Sequence, residues 1–184
     1  MKRIAYRCLN RFLSIFYDSK YLQGRFFESS KGGYVWAFRG ILYQKILGFN
    51  RKAPYPVSHF ISLSNPKNLE FHPDNLDNLQ TPGVYFQNLH GKIKIGRGSF
   101  ISPNVGLITQ NHDSSNLEKH LPAQDIIIGE KCWIGMNAVI MPGVILGDNT
   151  IVGAGTIVTK SFADGQVVIA GNPARVIKAL NVAT

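Results

Sequence analysis

The sequence predicts an all-β body, a parallel β-helix, behind a basic helical leader. Three observations predict it. Aliphatic residues recur every six positions over much of the chain, a small or β-branched residue follows each of them four places later, and the whole net charge sits in the first 52 residues.

The beat is clearest from Ile128, through Ile134, Ile140, Leu146, Val152 and Val158. Upstream it passes through Leu89, Ile95, Ile101 and Leu107. The second position reads Ser99, Val105, Cys132, Ala138, Val144, Thr150 and Thr156. Six is not a multiple of the 3.6-residue helical turn, but it fits a short strand followed by a corner. Both positions are expected to point inward, with Gly and Asn supplying the backbone freedom that tight corners need. Three such sides close a coil, and coils stack about 4.8 Å apart through parallel strand hydrogen bonds. Such a repeat, once found, decides the architecture. Handedness does not follow from the spacing.

Between Leu107 and Ile128 the beat is lost. This polar stretch is expected to leave the coil as an excursion over residues 108–127, with the 21-residue gap read as three more than one full coil. Long irregular segments in compact domains tend to carry function, and this one holds His112, Asp113, Glu118 and His120. Residues 54–88 keep the step only at Leu63 and Leu69 and are read as an irregular start. After the body (53–170), Gly171-Asn172-Pro173-Ala174 is expected to end the coil and open a short helix within 171–184.

The leader, residues 1–52, holds eleven Lys or Arg against Asp18 and Glu28, so it carries the full formal charge of +9. It also holds twelve of the twenty aromatic residues. Ile4, Cys8, Leu9, Phe12, Leu13 and Phe16 fall at helical spacing, and residues 34–48 read as a second helix. Residues 18–33 are not placed. A basic, aromatic amphipathic segment suits an anionic membrane surface; packing against the prism or a sister subunit is the alternative. Nucleic acid is not expected, because no motif for it is present. No apolar run approaches the length of a membrane span, and no secretory signal is seen. Cys8 and Cys132 match no metal or redox spacing, so a reducing, cytoplasmic setting is expected, with possible peripheral contact at the inner face of the membrane. The 45% hydrophobic content excludes a disordered chain.

The stretches ISPNVGLITQNHD, IIIGEKCWIGMNAVIMPGVILGDNTIVGAGTIVTKSF and AGNPARVIK resemble the left-handed β-helix hexapeptide-repeat acyltransferases. That group includes galactoside and maltose O-acetyltransferases. The similarity is closer still to O-acetyltransferases of bacterial polysaccharide biosynthesis. The resemblance implies a left-handed coil, a homotrimer with sites in the clefts between prisms, acetyl-CoA as co-substrate, no metal, and a saccharide acceptor that can be lipid-linked. It places the catalytic base at His112. Imidazole is suited to that task, since its unperturbed titration lies near neutral pH. Asp113 is expected either to touch the acceptor or to cap the loop, and Asn88 stands roughly where relatives carry an acceptor-contacting Asn. His120 is read as an acceptor contact or a solvated loop residue. For coenzyme A the resemblance implies Gly135, Met136, Gly153 and Ala154 along the pantetheine arm. Met136 departs from the Ser or Ala of many relatives. Thr159, Lys160, Arg175 and Lys178 are implied at the nucleotide end, where phosphates need cations. Trp133 could stack on coenzyme or lie at a subunit contact.

Rival readings are N-acylation of an amino sugar or acetylation of another small molecule, a non-catalytic structural β-helix, and a zinc enzyme on the same fold. The last needs three converging histidines, and His59, His72, His90, His112 and His120 do not form that cluster along the coils.

Overall fold

The computed structural model describes residues 2–181, with side chains described from residue 6 onward. The expected contribution of Ile4 and the end of the 171–184 segment therefore lie outside the described residues.

The leader forms helices α1 (Lys2–Leu13), α2 (Arg25–Glu28) and α3 (Gly32–Gly40), the last continuing as a π-helix over Ile41–Ile46. The first coil of the prism holds β1 (Ser62–Leu63) and β2 (Leu69–Phe71), and a 3₁₀-helix (Pro73–Leu79) takes its third side. The second coil holds β3 (Tyr85–Gln87), β4 (Ile93–Ile95) and β5 (Phe100–Ile101). The third begins with β6 (Gly106–Ile108). It is interrupted by β7 (His112–Asp113) and β8 (Asn116–His120), then resumes with β9 (Ile126–Ile128) and β10 (Trp133–Ile134). Then follow β11 (Val139–Ile140), β12 (Ile145–Leu146), β13 (Ile151–Val152) and β14 (Ile157–Val158). β15 (Val167–Ala170) and β16 (Arg175–Ala179) end the chain.

Strands stack into three parallel faces: β1-β3-β6-β11-β14, β2-β4-β9-β12 and β5-β10-β13-β15. Trp133 pairs with Ile151 and Val139 with Ile157, an 18-residue step, so each coil has three six-residue sides. The columns are buried as the beat requires. Ile128, Ile134, Ile140, Leu146, Val152 and Val158 are at most 1% exposed, and so are Ser99, Cys132, Thr150 and Thr156. Corners come three residues after each aliphatic residue, and there the backbone turns to positive φ at Gly98, Asn104, Lys131, Asn137, Gly143, Asn149 and Gly155. Gly and Asn reach that region at least cost.

Several expectations need correction. Leu89 is 53% exposed and belongs to no column; Phe86 fills the inner position, paired with Leu107. The excursion is longer than the gap suggested. Ile95 pairs with Ile128, a step of 33 residues where 18 is normal, so 15 are inserted between two adjacent sides. Ile108, Ile126 and Ile127 are strand residues, which narrows the excursion to 109–125. It is an antiparallel hairpin, β7 on β8. The expected C-terminal helix is strand β16, antiparallel to β15. Its β-branched Val176 and Ile177 suit a strand, and the open edge of the last coil offers unpaired backbone groups that a helix would leave unmet.

The leader shares one hydrophobic core with the prism. Tyr21 stacks on Phe71 at 5.0 Å, and Tyr55 meets both rings edge-on. Buried Gln44 accepts from Val57 N and donates to Tyr55 O. Asp74 accepts from Arg25 N at 2.8 Å and from Arg97 Nη2 at 2.7 Å. The boundary at 52 thus marks a change of secondary structure within one core. Among the described residues no helix is long and apolar enough to cross a membrane.

Candidate active site

His112 opens the hairpin, and its position is fixed from below. Thr109, fully buried, gives its hydroxyl to Gln87 O at 2.7 Å, and Gln87 Oε1 accepts from the backbone N–H of Thr109 and Gln110. Gln124 N donates to Thr109 O at 2.8 Å and closes the neck of the hairpin. Gln110 Nε2 donates to Leu121 O, while Leu121 N donates to Asn111 O. The strand pairing sets His112 opposite His120.

This anchoring fixes the state of the ring. His112 Nδ1 lies 2.8 Å from Leu117 O. A carbonyl only accepts, so Nδ1 carries the hydrogen and, in the neutral ring, Nε2 is left with its lone pair free. The His120 ring stands 4.2 Å from that of His112, at 37°. Both side chains are exposed on the single chain. Asp113 Oδ1 accepts from Ser115 N and Ser115 Oγ, which holds its carboxyl below the usual range and makes it a loop cap.

Asn88 does not suit an acceptor contact. It is fully buried, its Oδ1 accepts from Asn65 N, and its Nδ2 donates to Asn65 O, so both ends of the amide are spent joining the first two coils.

The remaining candidates fall at two corners. Gly135, Met136, Gly153 and Ala154 follow β10 and β13, on the corner between the third face and the first. Arg175 pairs with Ala170 at the end of β15 and so tops the same corner. Gly155 N donates to Met136 O, stacking the two turns. A Cβ on Gly135 would lie 2.6 Å from Ala154 N and 2.7 Å from Val152 O, so glycine lets the coils close there. Met136 is 44% exposed and Ala154 is exposed on the next coil. Thr159 and Lys160 follow β14, at the corner between the first face and the second. His112 leaves the prism from that same corner, two coils earlier. Lys178 pairs with Val168, away from either corner. Trp133 is 53% exposed and donates from Nε1 to Ser102 Oγ at 3.1 Å.

Sequence reasoning missed Gln87, Thr109 and Leu117. Thr109 directly follows a strand at the point where the beat fails, which is a usable signal; Leu117 acts through its backbone and leaves none. Among the described residues no cluster of His, Cys, Asp or Glu could hold a metal ion.

Residues 125–160 match the bacterial transferase hexapeptide (six repeats) family. A protein of Escherichia coli strain K12, named for acetyl transfer in colanic acid biosynthesis, is 44% identical over 88 residues, 48% of each chain. Galactoside O-acetyltransferase of the same organism is 44% identical over 92 residues, 48% of this chain and 45% of its own. The chain spans about half the length of the curated relatives it matches. In fold it is similar to a hexapeptide-repeat acetyltransferase of Vibrio cholerae solved with acetyl coenzyme A, with TM-score 0.53, 19% identity, and coverage of 97% of this chain and 88% of that one. The likeness to hexapeptide-repeat acyltransferases therefore rests on both sequence and fold, and residues 125–160 carry the bacterial transferase hexapeptide repeat.

Proposed function

We propose that the protein is an O-acetyltransferase that moves acetyl from acetyl-CoA to a hydroxyl of a saccharide made for a bacterial polysaccharide. The observation that carries this reading is the Nδ1 bond of His112 to Leu117 O, which leaves Nε2 free as a base on an excursion from a hexapeptide coil. The names of the relatives, one for colanic acid biosynthesis and one a galactoside O-acetyltransferase, support the acceptor class.

In this reading His112 Nε2 takes the proton of the acceptor hydroxyl as its oxygen attacks the thioester carbonyl. The C–S bond then breaks, and the thiolate leaves with the proton returned by His112, giving an ester and free coenzyme A. The Leu117 carbonyl also favours the imidazolium formed between the two steps. Asp113 acts by holding the hairpin turn. Gly135, Met136, Gly153 and Ala154 line the pantetheine arm, while Arg175, Thr159 and Lys160 serve the phosphate end. Lys178 adds positive charge nearby. A left-handed homotrimer completes the site, because the two candidate corners lie on different edges of one prism.

The test uses labelled acetyl-CoA and a membrane extract rich in lipid-linked glycans, with His112→Ala alongside. Label should enter the glycan fraction and be released by mild alkali, and the variant should lose on the order of 10²-fold or more in rate. Transfer only to amines would replace the acceptor with an amino sugar; equal activity of the variant would remove His112 as base.

A further inference from the structure

The hairpin, the two corners and the coils leave one large feature unexplained. On the leader, a polar cavity of about 580 Å³ is lined by Arg7, Asn10, Gln23, Glu28 and Lys31 together with aromatic walls. It adjoins an apolar groove of about 560 Å³ between α1 and α3, walled by Leu9, Val35 and Phe38. Tyr6, Lys31 and Tyr34 line both, so the two are continuous.

Their chemistry differs sharply. The groove is almost wholly apolar, and it opens onto Phe12, Val35, Phe38 and Leu42, which are 45%, 60%, 44% and 47% exposed. Such a contiguous exposed apolar surface marks a contact site. In the polar cavity neither Arg7 nor Lys31 has a hydrogen bond or ion pair among the described residues, whereas Glu28 accepts from Gly24 N. Two cations suit a phosphate diester, and the groove beside them suits its hydrocarbon chain.

We propose that this surface docks the protein on an anionic phospholipid bilayer, with a phosphoglycerol headgroup in the polar cavity and the first acyl carbons in the groove. Charge selects this occupant. The leader carries the chain's entire excess of +9, and on this face Arg7 and Lys31 outnumber Glu28; an anionic bilayer attracts that charge, whereas the same face of a second copy carries the same excess. The proposal does not rest on the acetyl-transfer reading.

The full-length protein should sediment with vesicles of phosphatidylglycerol and phosphatidylcholine and not with phosphatidylcholine alone. Arg7→Glu with Lys31→Glu, both exposed, should weaken that binding by on the order of tenfold or more, since each cation near the surface contributes substantially. Val35→Asp, an exposed change that leaves those cations in place, should weaken it too. Circular dichroism checks that both variants remain folded. Soluble glycerol phosphate at millimolar concentration should not compete; full competition would mean a free phosphate ligand and overturn the bilayer. Equal binding to both vesicle types, binding to neither, or variants that bind like wild type would overturn it as well. Self-association through this face, lost in Val35→Asp, would assign it to a second copy. Acetyl-CoA binding, measured on the same variants, should be unchanged, which keeps this test separate from that of the reaction.

Discussion

Lys131 and Gln166 are the two corner residues of the prism at positive φ that are neither Gly nor Asn, and φ of Lys131 is 52°. A side chain with a normal Cβ pays about 1 kcal/mol there, and Asn or Gly relieves it. Lys131→Asn should therefore raise the thermal midpoint by roughly 2–4 °C for a chain of this size, and a scanning calorimetry trace reads it. Gly135→Ala should act in the opposite sense, because its Cβ meets backbone on the next coil, which cannot swing away as a side chain can. We expect a loss of about 2 kcal/mol or more. At this scale the sequence was informative about which residues turn corners and which face inward, since both depend on one residue's own backbone and size. It misled at Asn88 and Leu89. There the first coils break step: Asn65, 23 positions away, buries Asn88, and Phe86, not Leu89, takes the inner position against Leu107.

Two elements, the leader and the hairpin, are held by few but well-placed polar contacts. Asp74 ties α2 to the prism through Arg25 N and binds Arg97 on the next coil. The Arg25 amide above all, then Arg97, holds its carboxyl below the usual range. A depressed carboxylate contributes stability above the ordinary carboxylate range and loses it as pH falls through its lowered value. Asp74→Ala should thus lower the midpoint at neutral pH by on the order of 5 °C, from charge-assisted bonds of about 2 kcal/mol. That gap should close in acid as the wild-type carboxyl is protonated, and melts across a pH series would show it. Of the leader's three α-helices, α1 was legible from its apolar spacing and α3 was expected at 34–48, while α2 fell in the unplaced stretch. Their docking was not, because it depends on Tyr21, Tyr55 and Phe71 meeting across some fifty residues of chain. The final strand escaped for a related reason. RVIKA is short enough for either structure, and the edge of β15 decides it.

The whole molecule divides its candidate site. His112, Thr159 and Lys160 belong to one corner of the prism; Gly135, Met136, Gly153, Ala154 and Arg175 belong to another. A coil of three flat sides holds its corners apart, so no rearrangement short of unwinding brings them together within one chain. The proposed cyclic assembly would do so without any such change, because a heterologous contact sets one corner of each copy against a different corner of its neighbour. Two inactive variants should therefore rescue each other. His112→Ala lacks the base, and Ala154→Trp fills the exposed corner where the pantetheine arm is proposed to lie. Unfolded together, mixed equally and refolded, they assort at random. About one contact in four then pairs an intact His112 with an intact Ala154 corner, and activity should return to roughly a quarter of wild type. If the site lay within one chain, no mixture could regain activity, because every subunit would carry one lesion. A recovered rate near that fraction, with each variant alone inactive and both folded, would place the reaction between subunits and explain why the single chain leaves His112 exposed to solvent.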